Sequence, residues 1–215
     1  MITTAATVNA ALACACGLAA VVITGYWWLL AVGALCVLAG WFYVGGAHPY
    51  GYRGWGEIAA FVFFGPVATL GTTVTMAGAV DWIAVCASVA VGLVALAVLS
   101  VNNLRDIRTD AQAGKRTWAV RLGVRATTVC IIVAIALVML AALAAGVFVG
   151  VHGGDLPHLT VGWGFCAVLG MVCVLLTGYF TCFEVARGEY MRAMWSLSLL
   201  ALWLALAFTG FAMAL

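Results

Sequence analysis

Apolar residues run through this chain in seven stretches, at 7–24, 26–44, 58–77, 82–101, 127–149, 161–183 and 193–215, and every charged residue lies between them. About 20 apolar residues are what an α-helix needs to cross the hydrocarbon core of a bilayer. The pattern therefore predicts an all-α, polytopic transmembrane helix bundle, a single domain over 1–215. Gly25 and the aromatic run Tyr26-Trp27-Trp28, which fits an interfacial belt, divide the first two stretches. Pro66 falls inside the third, where a ring without an N–H should kink the helix and free a carbonyl. Kinks of that kind often border cavities.

Threading the seven spans back and forth puts Arg53, Arg105, Arg108, Lys115, Arg116, Arg121, Arg125, Arg187 and Arg192 on one face, and these are all 9 basic residues. The positive-inside rule makes that face cytoplasmic and the protein a multi-pass component of the cell membrane. Asp81 and Asp155 are the only charges left opposite. Composition agrees: 67% hydrophobic residues and a mean hydropathy of +1.21 leave too little polar surface for a soluble globule. A net charge of +2 with so few basic residues excludes a nucleic-acid stripe. The 8 cysteines sit almost wholly in apolar runs and read as small packing residues. His152, Asp155 and His158 are a weak metal candidate in a Gly-rich outer loop.

Charge concentrates in Asn102-Asn103-Leu104-Arg105-Asp106-Ile107-Arg108-Thr109-Asp110-Ala111-Gln112-Ala113-Gly114-Lys115-Arg116-Thr117. On a helix, Asn102, Asp106 and Asp110 fall at i, i+4 and i+8, which lines their oxygens along one face. Two carboxylates and an amide suit a hard cation such as Mg²⁺, which commonly takes one or two carboxylates plus substrate phosphates. Arg105, Arg108, Lys115 and Arg116 stand close by. Gly114 should end the helix so that Lys115 and Arg116 turn back toward an anion. The bland alternative is a solvated loop, basic because of topology, and spacing alone does not decide between them.

A second polar stretch, Tyr43 to Glu57, holds five glycines and Pro49, a composition for a loop with close backbone approach. Within it Arg53 is a candidate phosphate contact, Tyr43 and Tyr52 are donors, and Glu57 could orient a cation. The rival reading is an interfacial loop with aromatic anchors.

The run from Asn102 to Gly123, Asn-Asn-Leu-Arg-Asp-Ile-x-Thr-Asp-x-x-Ala-Gly-Lys-Arg-Thr-x-Ala-Val-Arg-Leu-Gly, resembles the second Asp-rich motif of the UbiA superfamily of membrane prenyltransferases. Gly40 to Glu57, with Phe63-Phe64-Gly65-Pro66 beyond, is similar to a loop of that superfamily's 1,4-dihydroxy-2-naphthoate polyprenyltransferases of menaquinone synthesis. The resemblance implies Mg²⁺ on Asp106, Asp110 and Asn102, with a polyprenyl diphosphate as donor. Lys115, Arg116 and Arg53 would neutralise pyrophosphate, and Arg105, Tyr43, Tyr52 and Glu57 join the substrate set. The naphthoate would attack the allylic cation, with Trp41 and Tyr43 offering it their π-faces.

The family's fold has nine helices and a first motif of the Asn-x-x-x-Asp-x-x-x-Asp kind. No such sequence precedes Asn102, so the seven spans align with helices three to nine. The expectation is an N-terminally incomplete domain, either a fragment or one completed by a separate N-terminal half. Three further readings stay open: the same chemistry on another acceptor (4-hydroxybenzoate, homogentisate, haem or a lipid), a non-catalytic membrane subunit or remnant, and a transporter. The lack of charge within spans counts against an ion-coupled carrier.

Overall fold

The computed structural model describes residues 2–152 and 159–213, which hold helices and no strand. In chain order the helices are α1 (Ile2–Thr24), α2 (Trp28–Val44), α3 (Gly56–Val62), α4 (Ala68–Ala77), α5 (Trp82–Arg105), α6 (Ile107–Gln112), α7 (Trp118–His152), α8 (Leu159–Ala186) and α9 (Tyr190–Met213). A 3-10 turn, Tyr50–Arg53, precedes α3. The weak metal candidate His152, Asp155 and His158 lies outside the residues whose side chains are described.

Six rods among the described residues are long and apolar enough to span a membrane: Thr7–Thr24, Gly56–Ala77, Trp82–Arg105, Trp118–Val149, Gly164–Ala186 and Tyr190–Ala212. This is an all-α transmembrane bundle. The seventh expected span is the shorter α2, whose 17 residues give about 25 Å at 1.5 Å per residue, short of a hydrocarbon core of about 30 Å. The cause is the turn at its start. Trp27 N–H reaches Gly25 O and Leu29 N–H reaches Tyr26 O, each at 3.0 Å, so the aromatic run is spent on reversing the chain.

Helices α5, α7, α8 and α9 form the core, where Val101, Ile131, Val138, Leu197 and Leu200 are all 0% exposed. Lipid is as apolar as leucine, so close fit rather than hydrophobic transfer holds membrane helices together. Helix α7 is bent at Gly123, whose φ of 80° and ψ of 168° set off its first turn from the spanning part.

Pro66 does not simply kink its rod. The chain widens into a π-helical turn over Phe63–Val67 and continues as α4, absorbing the missing N–H without breaking the helix. The widened turn presses on α5: a Cβ on Gly65 would lie 2.6 Å from Gly92 Cα and 2.6 Å from Ser88 O. Only glycine allows that approach. By contrast α2 buries no residue, and its inner side lines a cavity described below.

The polar connections meet at one end of the bundle. Arg116 N–H donates to Tyr52 O at 2.8 Å, and an Arg105 guanidinium nitrogen lies 3.5 Å from the sulfur of Met194 at the start of α9. Arg53, Arg105, Arg116 and Arg121 therefore share an end, as the threading requires.

Candidate functional site

The site begins where α5 stops. Asp106 stands between α5 and α6 with φ −98° and ψ 12°, yet Asp106 N–H still reaches Asn102 O at 3.0 Å and Asp110 N–H reaches Asp106 O at 2.9 Å. Asn102, Asp106 and Asp110 keep their one-turn spacing, but their side chains part. The Asp106 carboxylate takes two 2.8 Å bonds from the adjacent Arg105 and is 42% exposed. Asp110 is 8% exposed and bonds Lys115 Nζ at 2.9 Å. Asn102 faces a cavity instead. Among the described residues no three His, Cys, Asp or Glu side chains gather to hold a metal ion.

Gly114 delivers Lys115 as expected. At φ +73° it closes a Schellman turn in which Gly114 N–H bonds Ala111 O at 3.2 Å and Lys115 N–H bonds Asp110 O at 2.9 Å. The chain thereby doubles back and Lys115 meets the carboxylate one turn behind it. Its ammonium also lies 5.3 Å over the Tyr52 ring. The hydrogen bond to Asp110 raises the Lys115 pKa, outweighing partial desolvation. The Arg105 hydrogen bond lowers that of Asp106, with the charges of Arg105 and Lys115 adding to it. Lys115 thus acts electrostatically on both aspartates.

Glu57 ties the two polar stretches together. It is 1% exposed, and Oε1 accepts from Asn103 Nδ2 at 2.8 Å and from Trp118 N–H at 3.0 Å. One oxygen thus joins α3, α5 and the start of α7. Its second oxygen is buried with no hydrogen-bond partner. The indole of Trp118 donates to Gly54 O at 3.0 Å, and Arg121 donates to Arg53 O at 3.2 Å. Glu57, a candidate for orienting a cation, serves here as a clamp beneath the loop through Oε1.

Two cavities flank this knot. An apolar one of ≈ 790 Å³ lies between α2, the α3–α4 rod and α5, lined by residues such as Ala60, Phe63, Val67 and Leu99, with Tyr43, Tyr50 and Asn102 at its polar end. Tyr43 packs edge-on against Tyr50 with ring centroids 5.4 Å apart. A second cleft of ≈ 570 Å³ lies across the 3-10 turn, lined by His48, Tyr52, Arg53, Arg116 and Arg121 among others. The expected site residues therefore divide. Asn102 and Tyr43 line the apolar cavity, and the Asp110–Lys115 pair lies outside its lining but within electrostatic reach of Tyr43; Arg53, Arg116 and Tyr52 line the cleft, with the Tyr52 ring beneath Lys115. Trp41 is 69% exposed and does not line the cavity, so only Tyr43 of the expected aromatic pair faces it.

Asn103, Tyr50, Trp118 and Arg121 were not singled out from sequence. Each lies inside one of the two motif stretches, but what gives it a role is a partner elsewhere in the chain, 46 residues away for Asn103 and 61 for Trp118.

Comparison with known proteins shows the family. The UbiA prenyltransferase family matches residues 1–172, and the chain belongs to that family. Proteins named 1,4-dihydroxy-2-naphthoate octaprenyltransferase are similar to it. The one from Mycobacterium tuberculosis is 53% identical over 120 residues, 56% of this chain and 41% of that protein. The Mycobacterium leprae protein is 49% identical over 120 residues, 56% of this chain and 40% of the relative. The Haemophilus influenzae protein is 46% identical over 92 residues, 43% of this chain and 30% of the relative. The matched part thus spans about two-fifths of the mycobacterial relatives. No solved structure matches the chain significantly.

Proposed function

We propose that this protein transfers a polyprenyl group from its diphosphate to 1,4-dihydroxy-2-naphthoate at the cytoplasmic face of the cell membrane. CO₂ and pyrophosphate are lost, and the product is a demethylmenaquinol, the hydroquinone form of demethylmenaquinone. The observation that carries the reading is the apolar cavity of ≈ 790 Å³ with Asn102 and Tyr43 at its mouth, next to a buried aspartate held by lysine at 2.9 Å. Such a site suits a molecule with a long hydrocarbon tail and an anionic head.

Mg²⁺ suits the chemistry of the donors, since Asp106, Asp110 and Asn102 offer hard oxygens and substrate phosphates would complete the shell; the three side chains, parted here, would have to turn toward it. The lysine and arginine now on the carboxylates mark where positive charge is wanted. Bound there, the ion would supply charge against the diphosphate as it leaves.

The chain's own residues do the rest. Lys115 neutralises the diphosphate beside Asp110, and Arg116 and Arg53 add charge from the cleft. As the C1–O bond breaks, pyrophosphate takes the electron pair and an allylic cation remains. Tyr43 turns its ring toward it, and the apolar walls exclude water that would quench it. The electron-rich naphthoate then forms the new C–C bond, and loss of CO₂ from the carboxylate returns an electron pair to the ring and restores its aromaticity, with no net release of a proton.

Membranes without their own activity, given labelled polyprenyl diphosphate, dihydroxynaphthoate and Mg²⁺, should form labelled product that Asp106→Ala abolishes. Product with 4-hydroxybenzoate in place of dihydroxynaphthoate would overturn the acceptor assignment. Product unaffected by Asp106→Ala would overturn the site.

A further inference from the structure

Glu57 has one oxygen more than its clamp uses. Oε1 serves both Asn103 and Trp118, while Oε2 is buried without a hydrogen-bond partner. The residue is 1% exposed, and among the described residues no lysine or arginine pairs with it. A neutral amide oxygen could serve the same two donors, so the clamp alone does not account for a carboxylate in this place. A buried polar atom without a partner calls for a further role.

The group beside it is Tyr43. Gly56, the residue before Glu57, lines the apolar cavity together with Tyr43 and Asn102, and a Cβ on it would lie 3.2 Å from the Tyr43 hydroxyl oxygen. A Cβ on Gly51 would lie 3.0 Å from Tyr43 Cε2. The two glycines thus let the ring in close, and Tyr50 packs edge-on against it. The Tyr50 hydroxyl is spent on Ala39 O at 2.9 Å, whereas among the described residues no hydrogen bond takes the Tyr43 hydroxyl. Of the groups that act on Tyr43 by charge, Glu57 acts most strongly, ahead of Tyr50, Lys115 and Asp110.

The cavity is otherwise short of polar chemistry. Phe63, Val67, Val98 and Leu99 are typical of its wall, and Tyr43 and Asn102 are the side chains it offers for orienting a polar ring. Apolar pockets take their selectivity from a few such groups. A phenol both donates and accepts. With its proton drawn toward Glu57 Oε2, the Tyr43 oxygen is left to accept from a ligand hydroxyl, and two bonds in series strengthen one another. Contacts of this kind are often open until the ligand is bound.

We propose that Tyr43, held as a hydrogen-bond acceptor by the free oxygen of Glu57, selects an aromatic ligand by its ring hydroxyl at the polar end of the apolar cavity. The ligand class is a hydroxylated naphthalene, which rests on the prenyl acceptor proposed above. Tyr43 touches the ligand and determines specificity; Glu57 acts through Tyr43 and is a positioning residue. Glu57→Gln separates this role from the clamp. Its amide must keep the oxygen toward Asn103 and Trp118, which puts an NH₂ where Oε2 stands. That NH₂ donates to Tyr43, whose own O–H turns to the cavity, and the demand for a ligand hydroxyl is lost.

The test measures equilibrium binding of radiolabelled naphthoates to the full chain in nanodiscs with EDTA present. The probes are 1-hydroxy-2-naphthoate and 4-hydroxy-2-naphthoate, each against its methoxy counterpart, which cannot donate. The wild type should bind one hydroxy compound about tenfold more tightly than its counterpart. Tyr43→Phe and Glu57→Gln should each remove that preference while still binding the methoxy compound. Tyr43→Phe leaves the Glu57 clamp whole, so it carries the test if Glu57→Gln does not fold. No preference at either ring position, or a preference that a folded variant keeps, overturns the proposal. A chain that shows the preference but transfers no prenyl group refutes the reaction and leaves the recognition standing. A chain that transfers it while Tyr43→Phe keeps the preference refutes the recognition alone.

Discussion

Glu57→Ala tests the knot that joins the two polar stretches. The wild-type carboxylate serves two buried donors through one oxygen, Asn103 Nδ2 at 2.8 Å and Trp118 N–H at 3.0 Å. Alanine leaves both unsatisfied, at about 1–3 kcal/mol each. Against this, the change removes a buried carboxylate oxygen that has no partner, so the net loss should be about 3 kcal/mol. For a chain of this size that lowers the thermal midpoint by about 6–12 °C. Glu57→Gln keeps an acceptor where Oε1 stands and should lose only about 1 kcal/mol. Pairing Glu57→Ala with Asn103→Ala should give a coupling of about 1.5–3 kcal/mol, the range for a hydrogen bond to a charged group. The assay is thermal unfolding of purified protein in detergent. A Glu57→Ala midpoint at the wild-type value, or a Glu57→Gln midpoint as low as that of Glu57→Ala, would refute the clamp.

Other outcomes follow from the same geometry. Asp106, lowered from 3.8 by Arg105, gives stability that is present above that value and lost as pH falls through its folded pKa. Lys115, raised from 10.5 by Asp110, gives stability that is present below that value and lost as pH rises through its folded pKa. Both contributions are therefore fully present between about pH 5 and pH 9, and unfolding midpoints should show no pH dependence from either pair in that window; a step inside it that vanishes in Lys115→Met would contradict the pairing. Gly65→Ala must push a Cβ into Gly92 Cα and Ser88 O, each 2.6 Å away, and should cost about 1–3 kcal/mol by overpacking; an unchanged midpoint would mean that the rods stand further apart. EDTA should abolish prenyl transfer while leaving the unfolding midpoint unmoved, and the two readouts in parallel check it.

Much of the frame was legible before any coordinates. Span positions follow from the length of apolar runs, and the break at Gly25, the disturbance at Pro66 and the turn at Gly114 follow from residues whose backbone preferences are strong. The aspartates did not behave as their spacing suggested. Helical periodicity places Cβ atoms, not carboxylates, and Arg105 captures Asp106 from the next position in the chain. Lys115 and Arg116, neighbours in sequence, point into different sites because Arg116 is tied by its backbone to Tyr52. Glu57 could not be read as a clamp, because its partners are 46 and 61 residues away. The bend at Gly123 was also missed, since one glycine between Arg121 and Arg125, ahead of the apolar run, carries no signal of the φ of 80° it adopts.

The central claim is that the diphosphate sits at Asp106, Asp110 and Lys115 while the hydrocarbon tail enters the cavity between α2, the α3–α4 rod and α5. Photocrosslinking measures this most directly, with a polyprenyl diphosphate carrying a photoreactive group on its second isoprene unit and mass spectrometry to map the labelled peptides. The account predicts Mg²⁺-dependent labelling of Phe63, Val67 or Leu99 and their neighbours, sharply reduced in Asp110→Asn. Labelling confined to α8 and α9, or labelling of the cavity that Asp110→Asn leaves untouched, would contradict it.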